Sequence, residues 1–597
     1  MLTKLAMTGF KNRWRDYLVL FSGLIMSSAI FYMFEALATN QSFLKANTGI
    51  SLVSIIFQFG SVLLTIITLV YIGYANSFLL SMRKRDYGLF MLVGARKGKI
   101  GQLIWLETLL VGVVATLAGI LFGTLLTMGI SQLLINSLGL TLHHLAAWYF
   151  PAALKTLILY VGLFLLAGLF NLITLTKTPA LKLLHSNDQP NRPQLKPVWQ
   201  AIQIIGGTLL IAVGYWSMAN LDKLQMLGIG IALVTIVMGT YFLFNAIFVG
   251  LIVWLKHFAV AHRGLNNFTL SQLSFRIHNY TKILSIVALL FALALGAITT
   301  GMGFHRQVPM MANASNAYDL ALVNPTKTER DQIRALNPKT QTDYHFKVAK
   351  KAVYYQASEF NAHPFTTLNM RGKNQLAFKA VDNSAKQLQK SQYSYQLGQL
   401  QTDGNQLKAA VFLTPSAYHK LAQPEKTLTV FATKDVIANL PALKRLVKTA
   451  AKHDANYKVA TNLGGRYAAY LQINSMYSGL QFMGFFLGVA FLAMLASCLM
   501  FKILSGAAAD QHRYQMLDKL GTTHRQLTGA IRKEIAVLFI LPGIVGVVHV
   551  LFGLQMFKFL MVTSPYTGIW LPFLIFAGLY LIYYLITVKI YQRIVLQ

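Results

Sequence analysis

The chain is poor in charge, in acid and in cysteine. Charged residues make up 12% of its 597 residues, about half the roughly 25% of a soluble domain, which excludes an ordinary water-soluble fold. Asp and Glu number 19 against 53 Lys and Arg, a formal net charge of +34. The single cysteine, Cys498, excludes a disulfide framework, so any exported part must hold together by its core. Catalytic signatures are missing as well. The stretch "GARKGKI" (94–100) grazes a phosphate loop. However, a Walker A motif needs four residues between its glycines and a hydroxyl after the lysine. Here three residues separate Gly94 from Gly98, and Ile100 follows Lys99. "LSGAA" (504–508) only brushes the signature of an ABC ATPase, and neither H-E-x-x-H nor G-x-S-x-G occurs. The scattered histidines His345, His363, His419 and His453 lack metal-ligand spacing. The sequence thus points away from covalent chemistry, a metal centre or a cofactor in this chain. ATP with its Mg, if used, belongs to a partner.

What is present is apolar sequence in long runs. Hydrophobic residues make up 55% and the mean hydropathy is +0.50. Ten runs are long enough to cross a bilayer as helices: 17–36, 52–80, 103–136, 149–175, 200–219, 226–254, 283–304, 476–501, 535–560 and 569–588. Helices are required because lipid leaves free backbone groups unsatisfied, and the two-residue alternation of a membrane barrel is absent. Lys and Arg gather in every second link, from Lys4, Lys11, Arg13 and Arg15 through Arg83–Arg85 to Lys589 and Arg593. The links at 37–50, 137–148 and 561–568 hold almost none. By the positive-inside rule both termini are expected in the cytoplasm and segment 305–475 outside. "ALA" at Ala36–Ala38 resembles a signal-peptidase site, but the run before it is long for a signal peptide, so a retained helix is expected.

The central segment has strand-like runs at 317–323, 345–357, 375–381, 408–414 and 426–433, and helical spacing over 437–453. The fold class is therefore mainly α: a polytopic membrane protein with ten transmembrane helices and one extracellular α+β domain between helices 7 and 8. The expected division is 1–175, 176–282, 283–304, 305–475 and 476–597. The outer segment carries 23 Lys and Arg against 10 Asp and Glu. Outside the cell, and without a nucleic-acid module, that surplus fits an anionic membrane surface or a phosphate-bearing ligand, or serves solubility alone.

One skeleton occurs twice. "YGLFMLVGARKGKIGQLIWLE" (87–107) and "YQMLDKLGTTHRQLTGAIRKE" (514–534) both read Tyr, six residues, Gly, twelve residues, Glu. An offset of 427 residues pairs Tyr87 with Tyr514, Gly94 with Gly521, Glu107 with Glu534 and Gly119 with Gly546. Such a repeat implies two equivalent halves. Leu89, Met91, Leu92 and Val93, and likewise Met516, Leu517 and Leu520, predict a short amphipathic helix closed by glycine, set to meet lipid and a protein partner or to form a plain interfacial loop.

"RKRDYGLFMLVGARKGKIGQLIWLE" (83–107) closely resembles the motif of FtsX-like ABC permease domains. The ten-span layout, with "LSQLSFRIHNYTKILSIVALLFALALGA" (270–297) entering the seventh span, is similar to the Bce-type, bacitracin-resistance branch. The second copy departs at Gln515, where the first has Gly88, and at Thr522 after Gly521. The resemblance implies a permease in the bacterial cell membrane that pairs with two copies of an ABC ATPase subunit. It also implies resistance to peptide antibiotics that seize undecaprenyl-pyrophosphate-type lipid, and a sensor histidine kinase as a further partner. On that reading Tyr87, Gly88, Gly94, Tyr514 and Gly521 carry the coupling segments. Arg83, Lys84 and Arg85 either meet the ATPase or serve topology alone.

Glu107 and Glu534 are expected to cap or salt-bridge the nearby helix starts. His549, inside the ninth span, is a functional candidate or a neutral hydrogen bond between helices. Arg306 and Arg466, near the outer ends of spans seven and eight, are candidates for lipid phosphate or membrane-surface anchors. "GILFG" (119–123) and "GFFLG" (484–488) mark close helix contacts. Two other classes compete with a resistance permease: a mainly sensory module, and a lipid or lipoprotein exporter of the same superfamily. A secondary transporter is disfavoured, because midplane acids and broken helices are not evident in both halves.

Overall fold

The structure is a computed structural model. It describes residues 14–40, 51–138, 148–176, 197–247, 266–370, 378–401, 404–458, 463–558 and 560–596. Each of the ten apolar runs is a helix long and apolar enough to span a membrane. In order they are Trp14–Thr39, Ser51–Leu92, Lys97–Leu138, Phe150–Thr176, Pro197–Ala219, Leu221–Phe242, Asn266–His305, Arg466–Lys519, His524–Gly553 and Trp570–Val595. They are called here the first to tenth spans.

Several outrun their apolar stretch. The second span continues through Arg83–Tyr87 to Leu92, and the eighth runs 54 residues from Arg466 to Lys519. This corrects the expected short amphipathic helix: each repeat segment begins as the last turns of a span. Nothing in "SMRKRDYGLFML" breaks a helix, so the ladder begun in the apolar stretch simply continues until glycine.

One apolar core joins the first to fourth and seventh to tenth spans. The first span packs on the third, and the seventh packs on the ninth, as two equivalent halves require. The fifth and sixth spans pack chiefly on each other. Their apolar windows are only 17% and 33% buried, against 78% for the eighth, which places this hairpin at the margin of the bundle. Where the halves meet, Met483 lies against Gly60, and Tyr71 hydrogen-bonds Ser497 at 2.8 Å. These contacts ascend together along both chains, so the second and eighth spans run parallel and end on the same side.

The segment between the seventh and eighth spans folds on a five-stranded sheet of order β1-β7-β2-β3-β6, beside a two-stranded β4-β5 hairpin. The strands are β1 Leu320–Val323, β2 Thr340–Val348, β3 Ala352–Gln356, β4 Phe365–Met370, β5 Phe378–Asn383, β6 Ala409–Leu413 and β7 Glu425–Ala432. Only β3–β6 is parallel. The run at 345–357, expected as one strand, is a hairpin: it turns at Lys350–Lys351, and Val348 faces Val353. The expected strand at 375–381 starts at Phe378 within the described residues, and β4 had not been anticipated.

Alternation on β7 feeds two cores. Leu428, Val430 and Ala432 join Tyr344, Tyr355 and Phe412 on one face. Phe431 joins Leu443 and Leu446 of helix Leu440–Ala450 on the other. A period of two is what lets one strand serve both faces.

Candidate functional site

Each repeat segment ends its helix in the same way. The Ala95 N–H donates to Phe90 O and the Gly94 N–H to Met91 O. Correspondingly, Thr522 donates to Leu517 O and Gly521 to Asp518 O. These are paired Schellman terminations, and they need a left-handed residue. Gly94 (φ +97°) and Gly521 (φ +88°) supply it. The residue before each glycine is apolar and exposed, Val93 at 87% and Leu520 at 81%. Leu89 and its counterpart Met516 are exposed as well. Both segments thus present an apolar tip at the end of a rigid helix.

The tyrosine and glutamate that define the repeat meet in space. The Tyr87 hydroxyl donates to Glu107 Oε2 at 3.1 Å, and the Tyr514 hydroxyl to Glu534 Oε2 at 3.1 Å. Both tyrosines are buried. Of the cap or salt bridge expected of the glutamates, the cap is corrected, while Glu107 does form an ion pair, with Arg83. Glu107 lies ten residues inside the helix that starts at Lys97, and Glu534 ten inside the one from His524, too deep to meet free N–H groups. Each instead ties a helix to its neighbour across the turn.

In the first half Arg83 adds an ion pair to Glu107 and stacks over the Tyr87 ring at 5.5 Å. Gly88 is buried, whereas its counterpart Gln515 is exposed. Lys84 and Arg85 lie in the same helix, and their side chains fall outside those described. The eighth span places Tyr514 about 72 Å from the sheet domain, and the parallel course of the second span brings Tyr87 to the same end.

A second polar layer lies deeper in the first half. Asn76 Oδ1 accepts from Asn171 at 2.7 Å and from Thr108 at 3.2 Å, while its amide donates to Ala167 O at 2.8 Å. Together with Arg83, Tyr87 and Glu107 these residues line a small cavity. Sequence reading did not single out Asn76, Thr108 or Asn171. The available signal was lone amides inside apolar runs.

The matched glycines are crossing points. A Cβ on Gly119 would lie 1.8 Å from Ser28 Oγ of the first span, and one on Gly546 2.3 Å from Phe291 of the seventh. Gly123, Gly484 and Gly488 also abut neighbouring helices, as the small-residue spacing predicts.

His549 bridges the ninth span to the fifth and sixth. Tyr215 OH lies 2.6 Å from Nδ1 and Thr240 Oγ1 2.9 Å from Nε2. Thr240 spends its proton on Ile236 O at 2.6 Å, so Nε2–H donates to Thr240 and Nδ1 accepts from Tyr215. That chain describes a neutral imidazole acting as an interhelical tie. His549→Leu is expected to lower the melting temperature of the purified protein modestly, in keeping with about 0.6–1.7 kcal/mol for such bonds in membranes. An unchanged melt would exclude the tie.

At the other end, Arg466 Nε donates to Asn316 O at 2.8 Å, and its Nη1 lies 3.4 Å from Asp319, whose side chain is fully buried. Arg306 Nη1 donates to Thr567 O at 2.6 Å. Both guanidiniums fasten, within the chain, the ends of spans that lie toward the sheet domain. In the sheet domain His345 pairs with Glu359 at 2.6 Å and His453 with Glu329 at 3.5 Å.

Residues 58–180, which contain the first Tyr–Glu station and its helix turn, match the FtsX-like permease C-terminal family model. Over these residues the chain is similar to FtsX-like ABC transporter permeases. Its full length aligns with the bacitracin export permease BceB of Bacillus subtilis strain 168, at 22% identity over 100% of this chain and 99% of the relative. The corresponding permease of Halalkalibacterium halodurans is 21% identical over the same shares. The ABC transporter permease YxdM of Bacillus subtilis is 23% identical over 91% of each chain. The similarity to these permeases thus runs the whole length of the chain, its sheet domain included.

Proposed function

We propose that this permease works with two copies of a cytoplasmic ABC ATPase, one at each apolar tip, and confers resistance to bacitracin-like peptide antibiotics. The observation that carries the docking is the duplicated station: the same Tyr–Glu bond, the same glycine termination and the same exposed apolar residue, at one end of two parallel spans. ATP and Mg bind in the partner. Its closure on ATP moves the tips, and the eighth span, one unbroken helix, carries that movement to the outer sheet domain. The outer domain acts on the antibiotic or on its complex with an undecaprenyl-pyrophosphate-type lipid, for which its basic surplus is suited. Full-length similarity to two permeases named for bacitracin export supports the antibiotic class. Reporting to a sensor histidine kinase and a cytoplasmic position for both termini belong to the same reading, the latter from the distribution of Lys and Arg.

The decisive experiment is co-purification with the candidate ATPase, followed by ATP hydrolysis with and without bacitracin and undecaprenyl pyrophosphate. A complex whose hydrolysis responds to those ligands is expected. Absence of any complex would sink the docking, and a complex indifferent to both ligands would favour a lipid exporter.

Gly94→Pro and Tyr87→Ala are expected to leave membrane insertion intact and to reduce ligand-stimulated hydrolysis several-fold. Proline cannot adopt φ +97° or donate the bond to Met91 O. Normal stimulation in both variants would refute the role of the tips.

A further inference from the structure

The end of the sheet away from the eighth span carries a corner that is both basic and apolar. β2 begins near the joint with that span: Thr340 pairs with Ala432, and the next residue, Thr433, donates to Asp319, the partner of Arg466. β2 then runs nine residues to Val348. At about 3.4 Å per residue its far end stands roughly 27 Å from its start. There the chain turns at Lys350 and Lys351, both exposed, and the Ala409 N–H donates to Lys351 O at 3.3 Å. That bond brings Lys408, and Leu407 before it, to the same corner. Leu407 is 93% exposed and ends the helical turn Asn405–Leu407. The end of helix Ser391–Gly398 abuts this turn, the Cβ position of Gly398 lying 2.8 Å from Gln406 O. Nearly one turn back in that helix Tyr395 is 61% exposed. The acid nearest in register, Glu425, stands opposite Lys347 on the ladder.

An exposed leucine alone means nothing on a protein surface. Here a leucine and an amphipathic aromatic share one corner with three lysines. That combination suits a bilayer surface: the leucine and the ring enter the headgroup boundary, and the ammoniums meet anionic headgroups. Lysine is a point charge without the planar fork that fixes a single phosphate, so it matches a fluid layer of headgroups better than one oriented anion. Reach is sufficient. The apolar stretch of the eighth span begins at Met476, ten residues from Arg466, a rise of about 15 Å and less than the length of β2. We propose that this corner is a membrane foot, by which the sheet domain rests on the anionic lipid surface on its own side of the bilayer. The foot works only in contact, because attraction to the headgroups fades within a Debye length, about 8 Å at physiological salt. It belongs to the chain alone and needs no ATPase, so it stands or falls apart from the docking reading.

The test uses the full chain in lipid nanodiscs, with Cys498→Ser so that an added cysteine is its only thiol. Leu407→Cys carries an apolar, environment-sensitive fluorophore, and the lipid acyl chains carry bromine as a quencher. In phosphatidylglycerol the label should emit further to the blue and be quenched several-fold more than in phosphatidylcholine. Raising the salt to about 1 M should remove most of that difference, since the Debye length then falls to about 3 Å. Lys350→Glu with Lys351→Glu, both at exposed positions of the turn, should do the same. Ser416→Cys, exposed beyond the other end of β6, is the control site and should not respond to the lipid. Equal quenching in the two lipids, quenching that survives the glutamate pair, or an equal response at Ser416→Cys would overturn the foot. A blue shift induced by soluble polyphosphate and not by the phosphatidylglycerol bilayer would also overturn it, assigning the corner to a soluble polyanion.

Discussion

Gly465→Val is expected to detach the sheet domain from the eighth span. Gly465 sits at φ +94°, ψ −174°, a region essentially confined to glycine. A Cβ there would fall 2.7 Å from Asp319 O and 2.9 Å from Tyr318 O. Those carbonyls accept from Tyr467 and Arg466, so the backbone cannot retreat without breaking the joint. Gly464 is equally confined, its Cβ position lying 2.2 Å from Gln399 O. Strain and overpacking together come to about 2–6 kcal/mol. Limited proteolysis should then release fragments from 305–475 at temperatures where the parent chain resists. Gly404→Ala is the control. It also has positive φ, +67°, but nothing stands within 4 Å of its Cβ position, so about 1–2 kcal/mol of conformational cost is all it incurs. Equal resistance of Gly465→Val and Gly404→Ala would refute the joint as described.

The second large effect is expected at the helix crossings. A Cβ on Gly546 would lie 2.3 to 2.9 Å from three atoms of Phe291, including its Cβ, so rotation of that ring relieves only part of the clash. Phe291 is itself held edge-on against Phe576 and Tyr580. Gly546→Leu should separate the seventh and ninth spans and cost about 1–3 kcal/mol or more. The readout is thermal aggregation of the detergent-solubilised chain. Gly119→Leu, at the matched crossing of the first and third spans, should behave alike. Gly578→Leu in the tenth span, where nothing stands within 4 Å, should not. A melt of Gly546→Leu matching that of Gly578→Leu would show that the crossing is looser than described.

The polytopic helical class was legible because lipid leaves a chain few choices: a run of about 20 apolar residues has to become a helix. The repeat was legible for a similar reason. Tyr, Gly and Glu recur at fixed spacing because the same helix–turn–helix is built twice, and Gly94 and Gly521 stand where the chain must turn left-handed. Of the two roles expected of the glutamates, Glu107 does form an ion pair, with Arg83, and neither caps a helix start, because spacing from a helix start does not reveal what faces a side chain across the turn.

Asn76, Asn171 and Thr108 are far apart in sequence and lie in three different helices, so no local pattern announces that they bond to one another. The same holds for Asp319 with Arg466 and for His549 with Tyr215 and Thr240. The sequence by itself determined ten spans, a duplicated Tyr–Gly–Glu segment and a basic domain between the seventh and eighth spans, since hydropathy, glycine conformation and charge act locally. Only the tertiary structure decided which polar residues pair, because hydrogen bonds between helices depend on rotation and crossing, which packing of the whole bundle sets.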